Sequence, residues 1–115
     1  MLIPDEPFES AEAAWLWTMS SLIGRRDGTG SGHSAISRPC TPDDVVVALE
    51  RLYRTGRVRP IHATVLRRWG EQGYAPSHAD LRDAPDRQIW DQALVALEPE
   101  LMARGIVRKT EGLVA

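Results

Sequence analysis

The stretch Cys40-Thr41-Pro42-Asp43-Asp44-Val45-Val46-Val47-Ala48-Leu49-Glu50-Arg51-Leu52-Tyr53-Arg54-Thr55-Gly56 decides how the chain is read. Thr41 is placed to cap a helix by accepting a first-turn amide. Pro42 suits the first helical position, and Asp44 stands where a capping box wants an acid. Behind this start, Val45, Ala48, Leu49 and Leu52 recur at three- and four-residue steps and form a buried stripe, flanked by Val46 and Tyr53. Gly56 ends the helix. An amphipathic helix of this kind needs other helices to cover it.

The flanking sequence supplies them. Residues 8–23 read as a first helix, with Phe8, Ala11, Trp15, Met19 and Leu22 on one face, Leu16 and Ile23 widening it, and Gly24 as its stop. Residues 25–40 read as a Gly-rich loop. Val58 sits in a short extended connector, and Pro60 opens a third helix with Ile61, Val65, Leu66 and Trp69 on one face. Gly70 and Gly73 both offer its end. Residues 74–84 are irregular, with Ser77 and Asp80 able to cap one short turn. Pro85 begins a fourth helix whose inner face is Ile89, Trp90, Ala93, Leu94, Leu97 and Leu101. Pro99 inside that run removes one amide and predicts a kink or a restart. After Gly105 the tail, IVRKTEGLVA, reads either as a small β-hairpin or as a frayed end. The expectation is a mainly α single domain over 1–115, with four principal helices and a C-terminal tail that is either a β-hairpin or a frayed end. Within it, 1–24 carries the N-terminal helix, 25–40 the loop and 41–115 the helical core.

Composition narrows the function classes. Of 115 residues, 43% are apolar and 26% charged, which fits a folded domain and not a disordered chain. The single cysteine, Cys40, excludes an internal disulfide. Asp5, Glu6, Glu9 and Glu12, with no base among the first dozen residues, fit neither a secretory signal nor a transit peptide. No window approaches a membrane span. The expected setting is the cytoplasm, without a membrane partner.

Charge is segregated along the chain. Residues 1–24 hold four acids and no base, residues 25–68 nine arginines against four acids, and residues 69–115 five bases against eight acids. No acid falls between Arg51 and Arg68. Arg51, Arg54, Arg57, Arg59, Arg67 and Arg68 therefore read either as a phosphate-binding surface or as a face solvated and bridged to the acids elsewhere.

The order from residue 42 is helix, extended link, helix, loop, helix and a β-prone tail. With Leu94-Val-Ala-Leu-Glu-Pro-Glu-Leu-Met-Ala-Arg-Gly-Ile-Val-Arg-Lys-Thr-Glu-Gly112, it resembles winged-helix DNA-binding domains. There, a recognition helix runs through a glycine into the first wing strand. Leu97, Leu101, Gly105, Ile106, Val107, Arg108 and Lys109 match those places. Pro99 and the long link from Gly70 to Pro85 depart from the pattern. The resemblance implies a non-catalytic, transcription-regulatory module that binds duplex DNA. Arg67, Arg68, Arg87, Arg108 and Lys109 would then contact phosphate, and Gln88 or Gln92 would reach a base edge. The strings RPCTPDDVVVALERLYR and HATVLRRWGEQG also resemble small uncharacterised helical proteins of α-proteobacteria, which implies no activity.

A second reading is a protein-interaction adaptor, or a homodimer, that uses the acidic first helix. It rests on Trp17, which points away from the centre of that helix's apolar face. Trp17 is then an exposed anchor, unless the helix is buried on two sides.

Catalytic and metal signatures are absent from the sequence. DGTGSGH lacks the Gly-Lys-Ser/Thr of a phosphate loop. His33, His62, His78 and Cys40 do not have zinc spacing, and His62 reads as a structural histidine. Cys40, near a helix N-terminus, stands where a thiol pKa can be lowered, but no base is placed beside it. The expectation is no enzyme, no cofactor and no metal.

Overall fold

A computed structural model describes residues 5–28 and 37–109. It is built from four helices: α1 (Ala11–Asp27), α2 (Pro42–Arg54), α3 (Pro60–Gln72) and α4 (Ala84–Ala103), with a 3-10 turn at Leu81–Asp83 before the last. The mainly α reading with four principal helices is what is found. The predicted β-hairpin is not. Among the described residues the only β pairing is one parallel bridge, Phe8 with Val107. Phe8 N–H donates to Ile106 O at 2.9 Å, and Arg108 N–H to Phe8 O at 2.8 Å. Extended residues after Gly105 thus find a partner, but it is the chain before α1. Residues 110–115, which would hold the hairpin's turn and return, lie outside the described residues.

The helices start and stop for local reasons. In α2 the Asp44 carboxylate accepts the Thr41 amide at 2.8 Å, the reciprocal half of the expected capping box. In α1 Ser10 caps the start, its hydroxyl accepting from Ala13 N–H at 3.1 Å. The expected stop at Gly24 is overturned. Gly24 is buried inside the helix, which runs on to Asp27 and ends at Gly28 with φ 68°. Arg25 and Arg26 make a favourable last turn beside the carbonyl end of the helix dipole. Arg25 also reaches Asp43 across to α2 at 3.5 Å. Between the two candidate ends of α3, Gly73 is the one used.

Pro99 neither stops nor restarts α4, which is continuous from Ala84 to Ala103. Pro99 and Val95, whose carbonyl the proline leaves without its helical donor, both lie on the exposed side. Water can satisfy that carbonyl there. Leu97 and Leu101 keep the inner face intact.

Cross-contacts set the helix order. Trp15 Nε1–H donates to Leu66 O at 2.9 Å and Met19 lies on Gly70, so α1 and α3 run in the same sense. Arg25 at the end of α1 meets Asp43 at the start of α2, while Arg51 at the end of α2 meets Glu100 at the end of α4. The result is an up-down-up-down arrangement with α1 against all three others. The core is Trp15, Val45, Leu52, Val65, Leu66, Trp90, Leu97 and Leu101, closed by Phe8, Ile106 and Val107. Three indole N–H groups are satisfied: Trp15 as above, Trp90 on Glu12 Oε1 at 2.8 Å, and Trp69 on Asp86 Oδ2 at 2.9 Å. No helix among the described residues is long and apolar enough to cross a membrane.

Candidate functional site

Each residue named from the sequence has a definite place. Arg67 pairs with Glu71 at 3.2 Å, one helical turn away. Arg68 pairs with Asp86 at 2.7 Å, the carboxylate that also holds the Trp69 indole. Arg87 is more deeply committed: it pairs with Asp91 at 3.0 Å, donates to Pro76 O at 3.0 Å, and its side chain is only 19% exposed. It pins the 74–80 segment to α4. Gln88 is exposed. Gln92 is exposed too, with its Oε1 3.1 Å from His62 Nε2, while His62 Nδ1 accepts the Arg59 amide at 3.0 Å. His62 therefore links the start of α3 to Gln92 of α4. Arg108 and Lys109 are exposed without a carboxylate partner, at the α1 end of the molecule, where Arg108 lines a small pocket with Arg38, Glu6 and Glu9.

Trp17 is half buried. Its ring meets Phe8 with centroids 5.0 Å apart, and the Arg38 guanidinium covers the Phe8 ring at 4.1 Å. The acidic first helix packs against α2, α3 and α4, and its Glu12 accepts the Trp90 indole N–H. Cys40 is half buried, and its thiol is pushed up to about 11, by burial first and by the nearby Asp44 carboxylate second. Desolvation thus outweighs any help from the helix start. Among the described residues no three His, Cys, Asp or Glu side chains converge as a metal site. His33 and most of the DGTGSGH string lie outside them.

A different surface stands out. Only Val45, Ala48 and Leu52 of α2 are buried in the bundle. Val46, Leu49 and Tyr53 form a second apolar stripe on the same helix, spaced three and four residues apart, and no helix among the described residues covers it. Val46 and Leu49 are half buried, and Tyr53 is 50% exposed. With Val58 from the connector and Ala63 from α3 they line an open groove of about 320 Å³, whose rim carries Glu50 and Arg54.

No protein-family model, curated protein or solved structure matches this chain. The groove must therefore be read from its own chemistry.

That chemistry includes the arginines. Eight of them, from Arg25 to Arg104, are in ion pairs, and Arg38 donates to the carbonyls of Glu6 and Pro7. Arg54, Arg57 and Arg59, at the α2–α3 turn, are in no ion pair among the described residues; Arg54 borders the groove beside Glu50, whereas Arg57 lines a different pocket with Arg51 and Glu100. The sequence put them within a basic patch but gave no reason to separate them from Arg67 and Arg68. The signal was present in part: no acid falls in the chain between Arg51 and Arg68. The second stripe was visible too, since Val46 and Tyr53 flank the main one. Only the packing shows that no helix among the described residues covers it.

Proposed function

We propose that this chain is a non-catalytic binding module, a protein-interaction adaptor whose working surface is the groove between α2 and the start of α3. The observation that carries the reading is the second apolar stripe, Val46, Leu49 and Tyr53, at the spacing of a helix-packing face that no helix among the described residues covers. Tyr53 at its end is a residue type enriched at binding hot spots. The surface differs from the one expected around Trp17, because α1 is engaged with the other three helices. The test is a purified partner, isolated by affinity capture, whose saturable binding is measured against wild type and Tyr53→Ser. Both proteins must give the same thermal melt. Equal affinity for the two would refute the reading.

Arg54, Arg57 and Arg59, with Arg108 and Lys109, favour a second reading: the transcription-regulatory module that binds duplex DNA implied by the winged-helix resemblance. The ion pairs of Arg67, Arg68 and Arg87 give it less support, although exposed pairs are weak and can exchange for phosphate. Contact by the three turn arginines would make affinity for a duplex fall roughly as the third power of salt concentration. A folded protein with no duplex binding at low salt would exclude it.

A further inference from the structure

We infer that a separate pocket, at the C-terminal end of α2, binds the phosphate monoester of a small polyhydroxy compound, a sugar phosphate. The inference is independent of the adaptor and duplex readings.

The pocket is open, about 340 Å³ in volume, and lined by Arg51, Leu52, Thr55, Arg57 and Glu100. Local structure builds it. Gly56, with φ 80°, reverses the chain after α2, and the Arg57 amide returns to Leu52 O at 2.9 Å. That hydrogen bond holds residue 57 beside the last turn of α2, which carries Arg51. The last turn of α4 supplies the facing wall through Glu100. The amides of Thr55, Gly56 and Arg57 are spent on Arg51 O, Tyr53 O and Leu52 O, so side chains must hold the ligand.

Charge decides what fits. Glu100 is only 16% exposed, and its Oε2 accepts from both Nε and Nη2 of Arg104 at 3.3 Å. Arg51 Nε lies 3.9 Å from the same oxygen, too far for a hydrogen bond, and Arg57 is in no ion pair among the described residues. Three guanidiniums thus surround one carboxylate, an excess of two positive charges. Helix dipoles account for Arg51 and Arg104, at the carbonyl ends of α2 and α4, but not for Arg57, which follows the turn. A phosphate monoester carries about two negative charges at pH 7 and offers three oxygens to forked donors. A diester or a carboxylate carries half that charge.

Acceptors select the rest of the ligand. Glu100 Oε1 has no partner among the described residues. The Thr55 hydroxyl donates to Leu52 O at 3.2 Å, which leaves its own lone pairs open. Both oxygens can accept from hydroxyl groups. A sugar supplies such groups beside its phosphate, whereas the inorganic ion leaves them unused.

The experiment is calorimetric titration of the full chain with ribose 5-phosphate, inorganic phosphate and ribose. The expected result is saturable binding of the ester at one site, weaker binding of inorganic phosphate and none of ribose. Arg57→Ala, at an exposed position outside every ion pair, is expected to weaken the ester about tenfold with an unchanged thermal melt. Thr55→Val is expected to reduce the ester's advantage over inorganic phosphate while leaving the latter's affinity intact. No saturable binding of the ester, or binding unmoved by Arg57→Ala, would overturn the site. Equal affinity for the ester and inorganic phosphate would overturn the sugar, as would a phosphoserine peptide bound more tightly than the ester. A methyl diester of the same sugar phosphate, bound as well as the monoester, would overturn the charge match.

Discussion

Gly70 of α3 and Met19 of α1 meet with no room for a methyl group between them. A Cβ at position 70 would lie 2.5 Å from Met19 Cγ and 3.1 Å from Trp15 Nε1. This explains a glycine in the last turn of a helix that ends at Gly73. The contact brings α3 onto α1 beside the Trp15–Leu66 hydrogen bond.

Gly70→Ala is therefore expected to destabilise. Helix propensity alone favours alanine by about 1 kcal/mol, whereas overpacking costs about 1–3 kcal/mol. A net loss of up to about 2 kcal/mol should appear in urea denaturation. Met19→Ala should make the same substitution much milder, and purely additive effects would contradict the steric account.

Glu12 supplies the acceptor for the indole of Trp90, a ring with no exposure. Glu12→Ala should cost about 1–3 kcal/mol by leaving a buried donor unmet. Glu12→Gln keeps an acceptor oxygen and should cost less. Equal losses for the two would show that the contact contributes nothing specific.

Cys40 should be a slow nucleophile. With its thiol raised from 9.0 to about 11, the folded protein at pH 7.5 holds about 100-fold less thiolate than the unfolded chain. Iodoacetamide labelling should be correspondingly slower in buffer than in denaturant, and should accelerate as pH rises toward 11. The raised value also makes this group's stabilising contribution complete below pH 9 and lost as pH rises from there through about 11. Labelling at equal rates in the two solvents would contradict the burial.

Pro99→Ala should stabilise. It restores an amide to Val95 O within a continuous helix and removes a helix-breaking ring, a gain of about 1 kcal/mol or more. The melting temperature measures it. A fall would mean that the proline makes a contact worth more than the missing hydrogen bond.

Arg67→Ala should change stability by no more than about 0.5 kcal/mol, because its pair with Glu71 is exposed. Asp86→Ala should cost more, since that carboxylate serves both Arg68 and the Trp69 indole. Calorimetric melts of the two variants separate an ornamental pair from one that ties α3 to α4.

The amphipathic stripes, the proline at the start of α2, Asp44, and the Ser77–Asp80 turn before Leu81 were legible because capping and periodicity are local. Periodicity alone brought out Val45, Ala48 and Leu52 as core, and Trp15 and Trp90 likewise. Gly24 misled because a glycine inside a helix and one at its end look alike in sequence, and only the close packing of α1 distinguishes them. The tail misled in a related way: Ile106 and Val107 have strand character, but their partner is about a hundred residues away at Phe8.

By itself, the sequence determined four helices, most of their boundaries and the side each turns inward, since those depend on neighbours within a turn or two. Tertiary structure decided which arginines meet a carboxylate and which apolar stripe of α2 goes uncovered. Both depend on pairs such as Arg68–Asp86 and Arg51–Glu100, far apart along the chain and joined only when the helices pack.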